Sequence, residues 1–366
     1  MIFTDEKIHV AFVYKNFAAN PGVSHIGLGV SGLNNVKILQ KQGIKASVWP
    51  VKFPHEIQGH INRANLNTPV THVVIAAPWI PSPELFTITQ NNTDILFAVN
   101  CHSNVGFLQA DTNGVKLLRE YIDLQKGSFN FRVAGNSKKF CLWLRQAYQS
   151  SCEYLPNMYY LDDSVDTNKP LWNGGILRIG AFGATRPQKN IASMAGAALI
   201  LSKELKCDVE FYVSGGRTEG GGNTILNAVR AMLKDEPGIT LKELNWATWP
   251  QFRSLVRTMH LLLQVSYTES FNMVTADGVA EGVPSVVSDA IDWAPKYWQA
   301  YADDVSDIAR IGRQLIFDRS AARDGLRALE QHNRDSFEIW EEYLGIEKSK
   351  YIPSTQNNST SSGLVI

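Results

Sequence analysis

Short apolar runs alternate with longer stretches of helical period along most of the chain. The first run covers residues 8–14, and strand patterns recur at 46–51, 71–77, 94–101 and 131–134. Helix-like stretches separate them. The clearest, 31–42, carries Leu33, Val36, Ile38 and Leu39 on one side and stops at Gly43. A second series opens with a strand at 177–182. It continues with a helix at 191–205, a strand at 209–214, a helix at 223–233 and a strand-like run at 239–244. Two further apolar runs follow, at 261–265 and 283–287. Strands that alternate with helices predict parallel, doubly wound sheets, so the expected class is α/β with two Rossmann-like halves.

The expected organisation is a first domain over residues 1–170 and a second over 171–335. A terminal helix is expected within 336–352, carrying Phe337, Ile339, Trp340 and Leu344, with a Ser/Thr/Asn-rich disordered tail over 353–366. Leu155-Pro156-Asn157 and the polar run 162–170 read as the linker between the halves. A length of 366 residues agrees with two domains.

The formal net charge is zero, so no global field recruits nucleic acid or an anionic membrane. No run approaches the roughly 18–20 apolar residues that span a bilayer, and the N-terminus lacks the layout of a signal peptide. Cys101, Cys141, Cys152 and Cys207 show neither paired nor metal-type spacing. They are expected to be reduced thiols in a cytoplasmic protein.

Residues 266–289 carry the most chemistry. Glu269 and Asp277 lie eight residues apart across a strand end, a turn and the first turns of a helix starting near Asn272. Carboxylates at a strand's carboxyl end face the crevice where open α/β sheets bind ligands. The helix start aims free N–H groups at the same place, which suits a phosphate or a polyol. Upstream, residues 183–190 also join a strand to a helix and carry Arg186 and Lys189. Two cations there suit a diphosphate, against the plainer reading of a solvated basic loop. Gly215-Gly216 and Gly220-Gly221-Gly222 permit close backbone approach to a ligand, and a flexible surface loop explains them equally well. His102 ends the strand pattern at 95–100, where an imidazole could donate to a sugar hydroxyl or a phosphate oxygen. The chain has no P-loop, no serine elbow, no His spacing suited to zinc and no Gly-x-Gly-x-x-Gly in register, which disfavours a dehydrogenase.

Taken in order, these residues resemble the Glu-x7-Glu signature of retaining GT-B glycosyltransferases, most closely glycosyltransferase family 4. Glu269, Phe271, Asp277, Gly282 and Pro284 stand where that signature puts them. Arg186 and Lys189 resemble its basic pair, Asn136-Ser137 and Pro156-Asn157 its domain-closing segments, and Phe337–Trp340 its terminal helix. The sequence departs from the pattern in three ways. Asp277 is one methylene shorter than Glu, Ser270 and Asn272 replace glycines, and Arg186 lies only three residues before Lys189.

The resemblance implies GT-B architecture, with a nucleotide diphosphate sugar as co-substrate and a glycan or other hydroxyl-bearing acceptor. It implies transfer of a hexose with retention, and no metal or other cofactor. Under it Arg186 and Lys189 stabilise the leaving diphosphate, Glu269 contacts the donor sugar, and His102 reaches that sugar from the first domain. Asp277 accepts from ribose hydroxyls. Ser270, Phe271, Asn272, Met273 and Val274 bind the donor, with the backbone amides of Phe271, Asn272 and Met273 on its sugar or phosphate; Gly27, Gly29 and Gly215 let backbone approach it, and Trp246 frames the base. Two alternatives stay open: an inactive GT-B protein that binds a glycan or nucleotide, and an enzyme that glycosylates a nucleic-acid base.

Overall fold

The computed structural model describes residues 8–16, 26–162, 165–167, 169–216, 218–245 and 247–353. The Pro21–His25 part of the glycine loop, Trp246 and most of the expected tail lie outside them. Two sheets organise the chain. The first contains β1 (His9–Lys15), β2 (Lys45–Val51), β3 (His72–Ala76), β4 (Leu96–Cys101), β5 (Phe131–Gly135) and β6 (Glu153–Tyr154). Its order is β2-β1-β3-β4-β5-β6. The second contains β7 (Leu177–Ala181), β8 (Val209–Val213), β9 (Ile239–Glu243), β10 (Leu261–Gln264) and β11 (Ser285–Val287), in the order β11-β10-β7-β8-β9. The strand pairs in both sheets are parallel. Helices connect the strands, as near-continuous apolar strands buried on both faces require.

In the first half these helices are α1 (Ile26–Lys41), α2 (His55–Asn65), α3 (Ser82–Gln90), α4 (Val105–Leu108), α5 (Thr112–Gly127) and α6 (Lys138–Tyr148). In the second they are α7 (Ile191–Leu205), α8 (Gly222–Leu233), α9 (Trp249–Val256), α10 (Met273–Ala280) and α11 (Val305–Phe317), followed by α12 (Ala321–Leu344). The strand order reverses between β1 and β3 in one sheet and between β7 and β10 in the other. Such switch points open a crevice beyond the carboxyl ends of the strands.

Helix α12 ties the halves together. Its Ala321 and Leu329 enter the core of the second sheet, while Phe337, Trp340 and Leu344 pack with Ile8, Val10 and Phe12 under the first. The sequence pattern places only its last third, from Ser336, in a helix, whereas the helix has 24 residues. The early turns bury Ala321, Gly325 and Leu329 at a spacing of four, and small residues make that stripe weakly apolar. The boundary expected at 335/336 therefore falls inside one helix.

Helix α1 also starts earlier than the sequence predicts, at Ile26 rather than near Ser31. Gly27 and Gly29, expected in a loop, belong to its first turns. Glycine is a poor helix former, but at Gly29 a side chain would meet the Tyr14 ring of β1 at 3.0 Å. Close approach of helix to strand outweighs propensity there.

Candidate active site

Two strand-to-helix loops meet at the switch point of the second sheet. The loop after β7 turns at Gly183, whose φ of +112° is inaccessible to most side chains. A Cβ there would stand 3.3 Å from Cε of Lys189, so the glycine also makes room for the lysine chain. The loop after β10 runs to Asn272, with φ +68°, and then into α10. Asparagine is among the few residues that tolerate this left-handed region, and its Oδ1 accepts from the Thr275 amide at 2.8 Å. A position where the resembled pattern has glycine thus keeps glycine-like backbone and gains an N-cap.

Between the loops the Lys189 ammonium donates to Oε1 of Glu269 at 2.5 Å, with side chains only 10% and 9% exposed. Asn272 Nδ2 donates to the same oxygen at 3.0 Å. Burial pushes the Glu269 carboxyl up, but the charges of Lys189 and Arg186 outweigh it and hold the group below the usual carboxylate range. Burial lowers the Lys189 ammonium, with Arg186 adding to the effect and Glu269 opposing it. Arg186 pairs with Glu219 at 3.0 Å, and its guanidinium lies 4.8 Å from the ring centre of Phe107.

Phe107 belongs to the first half, and other contacts cross beside it. Asn104 Nδ2 donates to the Glu269 carbonyl at 2.5 Å, and Ser270 Oγ donates to the His102 carbonyl at 3.0 Å. The segment after β4 therefore rests directly on the Glu269 loop.

A cavity of about 250 Å³ adjoins this contact. Gly27 and Val30 of α1 wall it from the first half. Gly183 and Ala184, Ser214 and Gly216, and Leu244, Asn245 and Ala247 line it from the ends of β7, β8 and β9. Trp249 and Phe252 of α9 and Met273, Val274 and Asp277 of α10 close it. The lining is mainly apolar with a few polar groups, as small-molecule sites are. Asp277 is buried, and its Oδ1 accepts from Tyr159 Oη at 2.7 Å and from Trp249 Nε1 at 2.9 Å. Burial pushes its carboxyl up to about 6, against the two donors and the Arg253 charge. Among the described residues, no group of three or more His, Cys, Asp or Glu is placed to hold a metal ion, and no helix is long and apolar enough to cross a membrane.

Several solved structures share this architecture. S. aureus TarM, in a structure that contains UDP, aligns with a TM-score of 0.55 at 16% identity, over 74% of this chain and 55% of that one. A UDP-forming trehalose-phosphate synthase from Burkholderia xenovorans aligns at 0.60 and 10% identity, over 91% and 98%. Sucrose-phosphate synthase from Thermosynechococcus elongatus aligns at 0.61 and 10%, over 92% and 98%. The fold is that of the GT-B glycosyltransferases. No protein-family model matches the chain, and no curated protein sequence does. The chain spans little more than half of TarM and nearly all of the two synthases.

Within this GT-B frame the expected residues distribute unevenly. Gly27, Met273, Val274 and Asp277 line the cavity. Arg186, Lys189 and Glu269 cluster beside it, where Lys189 stands behind the Gly183 wall. Phe271 does not line it. Its ring is buried against Trp293, with ring centres 5.5 Å apart, and its carbonyl accepts from Trp293 Nε1 at 2.6 Å. Gly215 faces Glu243, which a Cβ would approach to 2.7 Å, while its neighbours Ser214 and Gly216 reach the cavity. The His102 ring is not brought to the cavity either. Its Nδ1 lies 3.3 Å from Asn136 Nδ2, it borders a separate small cavity against Tyr14 and Asn35, and burial lowers it to about 4. Trp246 lies outside the described residues, though Asn245 and Ala247 on either side line the cavity.

Trp249 and Tyr159 are absent from the expected set. The run Thr248-Trp249-Pro250-Gln251 carried a usable signal, because Thr-x-x-Gln with proline at the first turn marks a helix start. Gln251 Oε1 accepts from the Thr248 amide at 3.0 Å, as that motif requires. Tyr159 had no local signal, since its partner Asp277 is distant in sequence.

Proposed function

We propose that this protein is a retaining glycosyltransferase that moves a hexose from a nucleotide diphosphate sugar to a hydroxyl acceptor. The observation that carries the reading is the buried Lys189–Glu269 pair at the sheet's switch point, beside a cavity walled by both halves of a GT-B fold. The donor would bind mainly to the second half, its diphosphate near Lys189 and Arg186 and its sugar near Glu269. Asp277 would meet hydroxyls of the nucleotide's ribose, and the acceptor would enter from the first half. The bond from anomeric carbon to diphosphate oxygen breaks, and a bond to the acceptor oxygen forms on the same face. The acceptor proton passes to the departing phosphate oxygen. Lys189 and Arg186 offset the charge that develops on that oxygen, so the reading requires no metal.

A thermal-shift panel of UDP, GDP and ADP sugars tests this reading. A ligand at a hundred times its dissociation constant stabilises the native state by about 2.7 kcal/mol, so one base should raise the melting temperature by several degrees. No shift with any of them overturns the proposal. A second, binding-only reading draws on the departures from the resembled pattern at Asp277, Ser270 and Asn272. The variant Glu269→Gln separates the two. An enzyme loses transfer and keeps nucleotide binding, whereas a binding protein has no transfer to lose.

A further inference from the structure

Asp277 is held by an unusual pair of donors. Both described hydrogen bonds to its carboxylate end on Oδ1, from the Tyr159 phenol and the Trp249 indole. An sp² oxygen has two lone-pair directions, so that oxygen is fully used. Oδ2 has no partner among the described residues, yet it is not among their sealed, unsatisfied polar atoms. Asp277 lines the cavity, so Oδ2 is the oxygen open to it.

Tyr159 is itself tightly fixed. It lies on the linker between the halves, where three consecutive backbone amides are gripped by asparagines. Met158 donates to Asn35 Oδ1, Tyr159 to Asn333 Oδ1 and Tyr160 to Asn34 Oδ1, at 2.8, 2.9 and 2.8 Å. Asn333 Nδ2 also donates back to the Tyr159 carbonyl at 2.8 Å. Asn34 and Asn35 belong to α1, whose Gly27 and Val30 wall the cavity that Asp277 faces. One helix therefore shapes the cavity and fixes the linker that orients its carboxylate.

We propose that Tyr159 and Trp249 are positioning residues for Asp277, which saturate Oδ1 and so leave Oδ2 as the oxygen presented to the hydroxyls of a bound nucleotide's ribose. The inference rests on the nucleotide-sugar reading above and deepens it. With Oδ1 filled, any hydroxyl that Asp277 accepts from must converge on Oδ2. The two donors also favour the ionised carboxylate. The charged groups facing it are Arg253 of α9, which favours ionisation, and Glu281 at the end of α10, which opposes it. Strands β10 and β11 beneath carry no charge, and α12 brings Gly325 against Val279 of α10.

The test has two arms. In the ligand-free protein, the Asp277 carboxyl is titrated by carbon-13 NMR, with Asp277→Asn used to assign its signal. The midpoint should lie near 6 and should rise by roughly one pH unit in Tyr159→Phe and in Trp249→Phe, because each loses a donor to the charged form. Unmoved midpoints in folded variants overturn the positioning role. In the second arm, calorimetry compares the best-binding nucleoside diphosphate with its 2′,3′-dideoxy form at pH 8, in the wild type and in both variants. The dideoxy form should bind the wild type about tenfold or more weaker than the parent, as expected for loss of a charge-assisted contact, and this penalty should shrink in Tyr159→Phe and Trp249→Phe. Equal binding of the two forms by the wild type overturns the contact between Oδ2 and the ribose. If no nucleotide binds while the NMR midpoints move as expected, the proposed function fails and the positioning of Asp277 stands.

Discussion

Glu269 and Asp277 sit at the two ends of one loop-and-helix segment, and both are buried acids, yet they titrate in opposite directions. Glu269 is held below the ordinary range and Asp277 is pushed up to about 6. The difference lies in their partners. Glu269 has an ammonium in direct contact. Asp277 has two neutral donors and, among the described residues, no directly paired cation. Burial penalises the charged form at both sites, and only an opposite charge within reach reverses it. One segment thus presents an acid ionised throughout the physiological range and another poised just below it. Under the proposed function the first acid would face the transferring sugar and the second the nucleotide.

The strongest way to break the comparison is to remove the cation. Lys189→Ala leaves Glu269 buried without its partner and should cost about 3–5 kcal/mol at pH 7, read by urea unfolding. Adding Glu269→Gln to that variant should recover a large part of the loss. If Lys189→Ala unfolds like the wild type, the pair is not what holds Glu269 ionised.

Next in size is the pH dependence of stability. The raised Asp277 group keeps a proton that the unfolded chain has already lost. Its contribution to stability therefore declines as pH rises from about 4 to about 6, by up to roughly 3 kcal/mol. Asp277→Asn should flatten the curve over that window. Glu269 has the opposite sign: its contribution is full above the unfolded carboxylate range and is lost as pH falls through its lowered native value. Unfolding curves from pH 3 to 8 for wild type and both variants separate the two contributions.

Smaller effects test the turn between the acids. Asn272→Ala loses the cap and puts alanine at φ +68°, so it should cost about 1–2 kcal/mol. Asn272→Gly should cost less, because glycine accepts that backbone. Trp293→Phe removes the indole donor from the Phe271 carbonyl and should cost about 1 kcal/mol in thermal unfolding.

Much of this arrangement is legible in the sequence. Parallel α/β halves follow from apolar runs alternating with helical stretches, and Glu269 and Asp277 follow from their place after the run at 261–265. Arg186 and Lys189 were readable for the same reason, because a strand-to-helix loop has a fixed destination in such sheets. What escaped the sequence depended on long-range packing. Gly29 reads as a loop residue until the Tyr14 ring beneath it is known. The ring of Phe271 packs against Trp293 and His332, partners that nothing local in the sequence announces. Tyr159 is 118 positions from the acid it holds, and no local pattern links them. The first half of α12 hid because small residues face its partners.

The most direct test of the central claim is release of nucleoside diphosphate from UDP-, GDP- and ADP-linked hexoses, measured for the wild type and for Glu269→Gln. The account predicts release from one base class by the wild type, abolished in Glu269→Gln while nucleotide binding persists. Equal release by both proteins, or no binding of any nucleotide by either, would contradict it.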